Sequence, residues 1–254
     1  MRTRIRIHSL TAALTGALAL SSLAAPAAEA AGAEPTITDV VVNGGAELAL
    51  GPTAPKTFKV SVTAHHASGI KGMDIIVSLP SYVHSRSDRG LTCTAAGATT
   101  STCTGSWTVV TSGFYGNDPA DDPWYVKATV DANDGNWMTT STADTFTVRR
   151  LAKLTANATP EPVTRNTTLT VTGKLIRANW ETHKNAGYAG RKAQLQFRKA
   201  GTTTYTTIKT VTTGTNGTLK TRTKATSDGY WRWYFPGNST TSTATAKGDY
   251  VDVR

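Results

Sequence analysis

The chain has 254 residues, 39% of them hydrophobic and 17% charged, and a formal net charge of +10 at pH 7. That charge is divided: residues 31–148 hold six basic side chains against eleven acidic ones, a net of −5, and residues 151–254 hold sixteen against five, a net of +11, with Arg149 and Arg150 between them. The length allows two domains of roughly 100 residues, each able to bury a core unaided, and the sign change at residues 146–154 predicts a seam between them.

Residues 1–30 combine a basic start (Arg2, Arg4, Arg6), an apolar run over 10–23 and the small-x-small triplet Ala28-Glu29-Ala30. This is the pattern of a secretory signal peptide, and its apolar run is about half of the ~20 residues a membrane-spanning helix needs. No further membrane segment is expected. With no Cys at the cleavage site and neither a sorting motif nor a hydrophobic tail in the residues up to Arg254, release or non-covalent retention at the surface is the expected fate.

In the acidic part, residues 36–43 read as a first strand ended by Gly44-Gly45. Residues 58–64 and 124–130 then place apolar side chains at every second position, which wets one face of a strand and buries the other. Further strands are expected at 73–79, stopped by Pro80, at 107–109, and at 145–148. Cys93 and Cys103 flank a Gly/Ala/Thr turn, and such a pair in an exported chain predicts a disulfide across a hairpin. In the basic part, candidate strands fall at 154–158, 168–175, 192–199, 205–212, 218–225, 230–235 and 243–253. Their inward sets are Leu169, Val171, Gly173 and Leu175; Ala193, Leu195 and Phe197; Trp231, Trp233 and Phe235. Residues 177–190 interrupt this pattern, and Trp180 and Tyr188 predict an ordered, packed loop there. No stretch has a 3.6-residue apolar period, so the expected fold is all-β: two tandem antiparallel sandwiches, 31–148 and 149–254.

Gly173-Lys-Leu, Arg177-Ala-Asn-Trp180, Gly187-Tyr188, Leu195-Gln-Phe197-Arg198 and Asp228-Gly-Tyr-Trp231-Arg232 together resemble an immunoglobulin-like module of secreted actinobacterial proteins. The resemblance covers residues 151–254 and implies fold and an extracellular address, but no catalytic residue. Whole-chain relatives of this layout are often labelled calcium-binding proteins.

Enzyme signatures are missing: there is no Gly-x-Ser-x-Gly elbow, no His-Glu-x-x-His helix and no Gly-x-x-x-x-Gly-Lys phosphate loop. His65 and His66 are adjacent on a strand and point to opposite faces, while His84 and His183 lack a second ligand at metal spacing. Two acidic loops offer hard oxygens for calcium: Asp118, Asp121 and Asp122 beside Asn117, and Asp131 and Asp134 beside Asn133. The second places its glycine one position early for an EF-hand and has no Glu at the bidentate position, and a strand of about 23 Å separates the two loops. Ordinary solvated turns are the favoured reading of both, with calcium the alternative.

Alternation in the basic part sends Lys220, Arg222 and Lys224 to one outer face, with Lys174 on the neighbouring strand; Lys192, Arg198 and Arg232 belong to the other sheet. Tyr230, Arg232 and Tyr234 share an outward parity that could stack on sugars or serve cross-strand pairing. The expected partner is an anionic cell-envelope polymer or a surface protein, with nucleic acid not expected. The alternatives are a calcium-binding extracellular protein and an accessory chain of an enzyme system or an unrecognised hydrolase.

Overall fold

The computed structural model describes residues 32–79 and 82–254, so the expected signal peptide and the strand stop at Pro80 lie outside the described residues. Residues 32–254 form one compact unit. Its strands are β1 (Thr36–Val42), β2 (Leu48–Leu50), β3 (Lys56–His65), β4 (Ile70–Leu79), β5 (Tyr82–Arg86), β6 (Thr92–Ala95), β7 (Thr100–Val109), β8 (Trp124–Ala132), β9 (Trp137–Phe146) and β10 (Val148–Arg150). They continue as β11 (Ala152–Thr159), β12 (Thr168–Asn179), β13 (Lys184–Gly187), β14 (Lys192–Lys199), β15 (Thr206–Thr212), β16 (Thr218–Lys224), β17 (Gly229–Phe235), β18 (Ala244–Thr245) and β19 (Asp249–Val251).

Two antiparallel sheets, β1-β3-β7-β6 and β5-β4-β8-β9, make the first sandwich. Every second residue of β3 (Phe58, Val60, Val62, Ala64) and of β8 (Trp124, Val126, Ala128, Val130) is buried, as the alternation requires. Each fully buried aliphatic contributes about 1.5–3 kcal/mol. The predicted disulfide joins Cys93 on the short edge strand β6 to its register partner Cys103 on β7. β9 is ten residues long, whereas the sequence pattern reveals only its end; most of its side chains are exposed or half-exposed, so no apolar alternation marks it.

In the second sandwich, β12 pairs with β11 along one edge and with both β16 and β13 along the other. The facing sheet is β15-β14-β17, with β18 and β19 sharing the far edge of β17. The predicted strand over 243–253 is therefore two short pieces. Leu169, Val171, Leu175, Ala193, Leu195, Trp231, Trp233 and Phe235 form the core, and Phe197 packs half-buried against it. Gly173 lets the Trp233 ring of the facing sheet lie against the β12 backbone. A Cβ there would lie 2.6 Å from the Trp233 ring, whose Nε1 donates to the Thr172 carbonyl at 3.0 Å.

Residues 177–190 are a hairpin rather than a loop, because β12 runs on to Asn179 and returns as β13. Up to Leu175 the odd-numbered side chains of β12 are buried in the second core; at Ala178 and Trp180 the even-numbered ones are buried, and they belong to the first core. One strand thus serves two cores through opposite faces. Trp180 is fully buried, packs edge-on against Phe114 at 5.4 Å and donates through Nε1 to the Gly51 carbonyl at 3.1 Å. Its backbone N–H donates to Asn117 Oδ1 at 3.0 Å. Around it, β10 lies parallel to β2, and Arg149 on β10 pairs with Glu47 at 2.9 Å.

Candidate anion-binding face

On β16 the alternation is strict: Leu219 and Thr221 are buried, while Lys220, Arg222 and Lys224 are exposed. Successive outward residues along a strand are about 7 Å apart. The register sets Thr172 opposite Lys220, Thr170 opposite Arg222 and Thr168 opposite Lys224, with Lys174 opposite Thr218. Lys174 is exposed and stands diagonal to Lys220, about 7–8 Å away by sheet geometry. One strand further, Thr155 faces Lys174 across the ladder, and exposed Lys153 extends the patch along β11.

Lys153 is not among the bases expected from the sequence, although the buried Leu154 beside it carries the same alternation signal. Strands β11, β12, β13 and β16 hold seven basic residues and no acidic one. Among the described residues, none of Lys153, Lys174, Lys220, Arg222 and Lys224 forms an ion pair. These five charges share one sheet surface, with Thr, Asn and the half-buried Ile176 between them. Such a surface raises the local concentration of anions, with a reach of about 8 Å at physiological salt.

Lys192, Arg198 and Arg232 lie on the opposite sheet, so the seven predicted bases form two groups. Lys192 is exposed at the start of β14. Arg198 stacks on Tyr230 (4.0 Å) and Tyr205 (5.3 Å) and donates to the Thr202 carbonyl. Its hydrogen bond with Tyr205 raises its pKa further. Arg232 lies 3.6 Å over Tyr205 and donates through Nε to Gln196 Oε1 at 2.9 Å. Tyr230 also packs on Tyr250 at 5.1 Å. Tyr230 of this outward ladder is thus stacked with Arg198 and Tyr250, which is cross-strand pairing and leaves less of its ring face for sugar stacking.

The two acidic loops sit at opposite ends of β8. Asp118, Asp121 and Asp122 belong to the turn that holds the seam: Asn117 Nδ2 donates to Asn179 Oδ1 at 3.2 Å, and Trp124 Nε1 donates to the Pro119 carbonyl at 3.0 Å. At the other end Asp131 is exposed, and both carboxylate oxygens of Asp134 accept from Asn136, at 3.1 and 3.0 Å. The Asn136 backbone N–H is the main reason that the Asp134 carboxyl titrates below its ordinary range. Among the described residues, no three His, Cys, Asp or Glu side chains converge where a metal ion could sit. His66 is buried, with Nε2 against the Ala33 carbonyl at 2.7 Å and Nδ1 against Ser68 Oγ at 2.8 Å, so both ring nitrogens are engaged.

A second basic feature escaped sequence reasoning: Arg150, Arg177 and Arg191 gather around Tyr188 at the seam. Arg177 and Tyr188 are visible in the sequence only as members of the resemblance motif. Their meeting with Arg150 depends on how β10 crosses β12.

Among the described residues no helix is long and apolar enough to cross a membrane. No family model matches the chain, and no curated protein matches it. Among solved structures it is similar to a DUF4785 family protein from Legionella pneumophila, at 15% identity and TM-score 0.39 over 80% of this chain and 53% of that one. It is similar to the full ectodomain of mouse nectin-like molecule 4, at 11% identity and TM-score 0.26 over 87% of this chain and 64% of that one. A third likeness is to a structure of a bacterial ice-binding adhesin, at 14% identity and TM-score 0.29 over 86% of this chain and 65% of that one. The chain spans between about half and two thirds of the length of these neighbours.

Proposed function

We propose that this is a non-enzymatic, exported protein of the bacterial cell envelope or its surroundings, in which 1–30 directs secretion, 31–148 is an acidic sandwich and 149–254 a basic one that binds an anionic envelope polymer. The observation that carries the reading is the acid-free sheet, where Lys153, Lys174, Lys220, Arg222 and Lys224 face solvent together without ion pairs. Charge of one sign spread over a flat pleated surface suits a long, repeating polyanion more than a small substrate, since each charge contributes modestly and the sum supplies the affinity. Strand lysines also guard sheets against edge pairing, but β16 presents three bases on a face and not on an unpaired edge alone. The intact chain should bind immobilised heparin and isolated anionic wall polymer in low salt. Lys220→Glu, Arg222→Glu and Lys224→Glu together should weaken retention. Retention unchanged in that variant, or unchanged by 0.5 M salt, would overturn the reading.

A further inference from the structure

At the seam, the guanidinium groups of Arg150, Arg177 and Arg191 have no ion-pair partner among the described residues. Arg150 on β10 is only 7% exposed, and its Nε donates to the Ala178 carbonyl at 2.6 Å. Its backbone is fixed on both sides, by Thr240 O at 3.0 Å and by the N–H of Ser242 at 3.0 Å. Arg177 on β12 donates through Nη1 to Thr241 Oγ1 at 3.0 Å and lies 3.8 Å over the Tyr188 ring. Arg191, exposed on the segment before β14, lies 4.6 Å from the same ring centroid. Tyr188 is held in turn by Asn238, whose Nδ2 donates to its hydroxyl at 2.8 Å.

Arg149, the sequence neighbour of Arg150, has Glu47 at 2.9 Å; among the described residues, Arg150, Arg177 and Arg191 form no ion pair at all. The carboxylate that acts on Arg150 and Arg177 is exposed Asp121, from beyond ion-pair distance. Burial, with Arg177 adding repulsion, pushes the Arg150 guanidinium down to about 10, the direction expected of a cation that lacks a counter-charge. The Tyr188 ring offsets part of this through its faces, but a ring quadrupole attracts less strongly than a full negative charge. Guanidinium forks match tetrahedral oxoanions in geometry, and a doubly charged anion balances such a cluster better than one carboxylate does.

We propose that the seam binds a divalent tetrahedral oxoanion, phosphate or sulfate in chemistry, between Arg150, Arg177 and Arg191, and that this ion ties β10, β12 and the 238–242 turn together. The ion can be free in solution or a phosphate group of a polymer. The proposal is independent of the basic sheet face.

The test is a thermal melt of the intact chain titrated with inorganic phosphate at fixed pH and constant ionic strength. The expected result is a saturable rise in Tm of about 3–6 °C at ten times the dissociation constant, lost in Arg191→Ala and kept in the triple reversal at Lys220, Arg222 and Lys224. Should Arg191→Ala fold poorly, broadening of the phosphorus NMR line of inorganic phosphate by the wild-type chain, relieved by sulfate, supports the site. An unsaturated rise that is equal in Arg191→Ala would mark a general salt effect and overturn it. A response to polyphosphate alone, abolished by the triple reversal, would assign the anion to the sheet face and also overturn it.

Discussion

The outer faces of two sheets, β1-β3-β7-β6 in the first sandwich and β11-β12-β16 in the second, are built on the same pleat and lead to opposite surfaces. On the first, hydroxyl meets hydroxyl across the ladder: Thr57 with Thr108 at 2.7 Å, Ser61 with Thr104 at 2.9 Å and Thr63 with Thr102 at 2.8 Å. On the second, a base stands opposite a threonine at each of three successive outward positions. Apart from Lys59, which stands opposite Ser106, the first face satisfies its hydroxyl groups in pairs within itself; the second leaves like charges side by side with no ion pair among the described residues. What decides whether a solvent-facing sheet is closed or available is the partner across the ladder, and not the proportion of polar residues.

The seam joins the two sandwiches unequally, and Trp180→Ala tests that most severely. Although β12 belongs to the second sandwich, loss of this side chain should remove about 3–5 kcal/mol and destabilise the first core, read by urea unfolding and by the fluorescence of tryptophans in each half. A loss confined to the second sandwich would contradict the crossing. Replacing Cys93 and Cys103 by Ser should cost about 2–3 kcal/mol in the chain-entropy account, and thiol titration of the unfolded, unreduced chain should find no free sulfhydryl. The smallest effect is expected on the hydroxyl face. Thr63→Val with Thr102→Val should change stability by less than about 0.5 kcal/mol, while Thr102→Val alone should cost about 0.5–1.5 kcal/mol by leaving its partner unmatched.

Much of this architecture is legible in the sequence wherever one face of a strand is buried and the other is wet. β3, β8, β16 and β17 announce themselves by period two, and that same parity places Lys220, Arg222 and Lys224 on one face and Trp231 and Trp233 in the core. β9 does not, because nearly all of it is open to solvent and neither face needs apolar residues. β12 beyond Leu175 fails for a different reason. Its buried parity flips where a second core covers the opposite face, so Arg177-Ala-Asn-Trp180 looks like the start of a loop. The Arg150, Arg177 and Arg191 cluster could not be found by pattern at all, since its members come from three separate segments brought together only by the crossing of β10 and β12.

The central claim is that the acid-free face binds polyanions through its exposed bases, and the salt dependence of binding measures it most directly. For the intact chain on heparin or a wall polymer, a plot of log affinity against log salt concentration should be linear and steep. The combined Lys220→Glu, Arg222→Glu and Lys224→Glu variant should reduce the slope by at least about 2–3, near one unit or slightly less for each lost contact. A slope that stays the same in the variant, with affinity intact, would contradict the account.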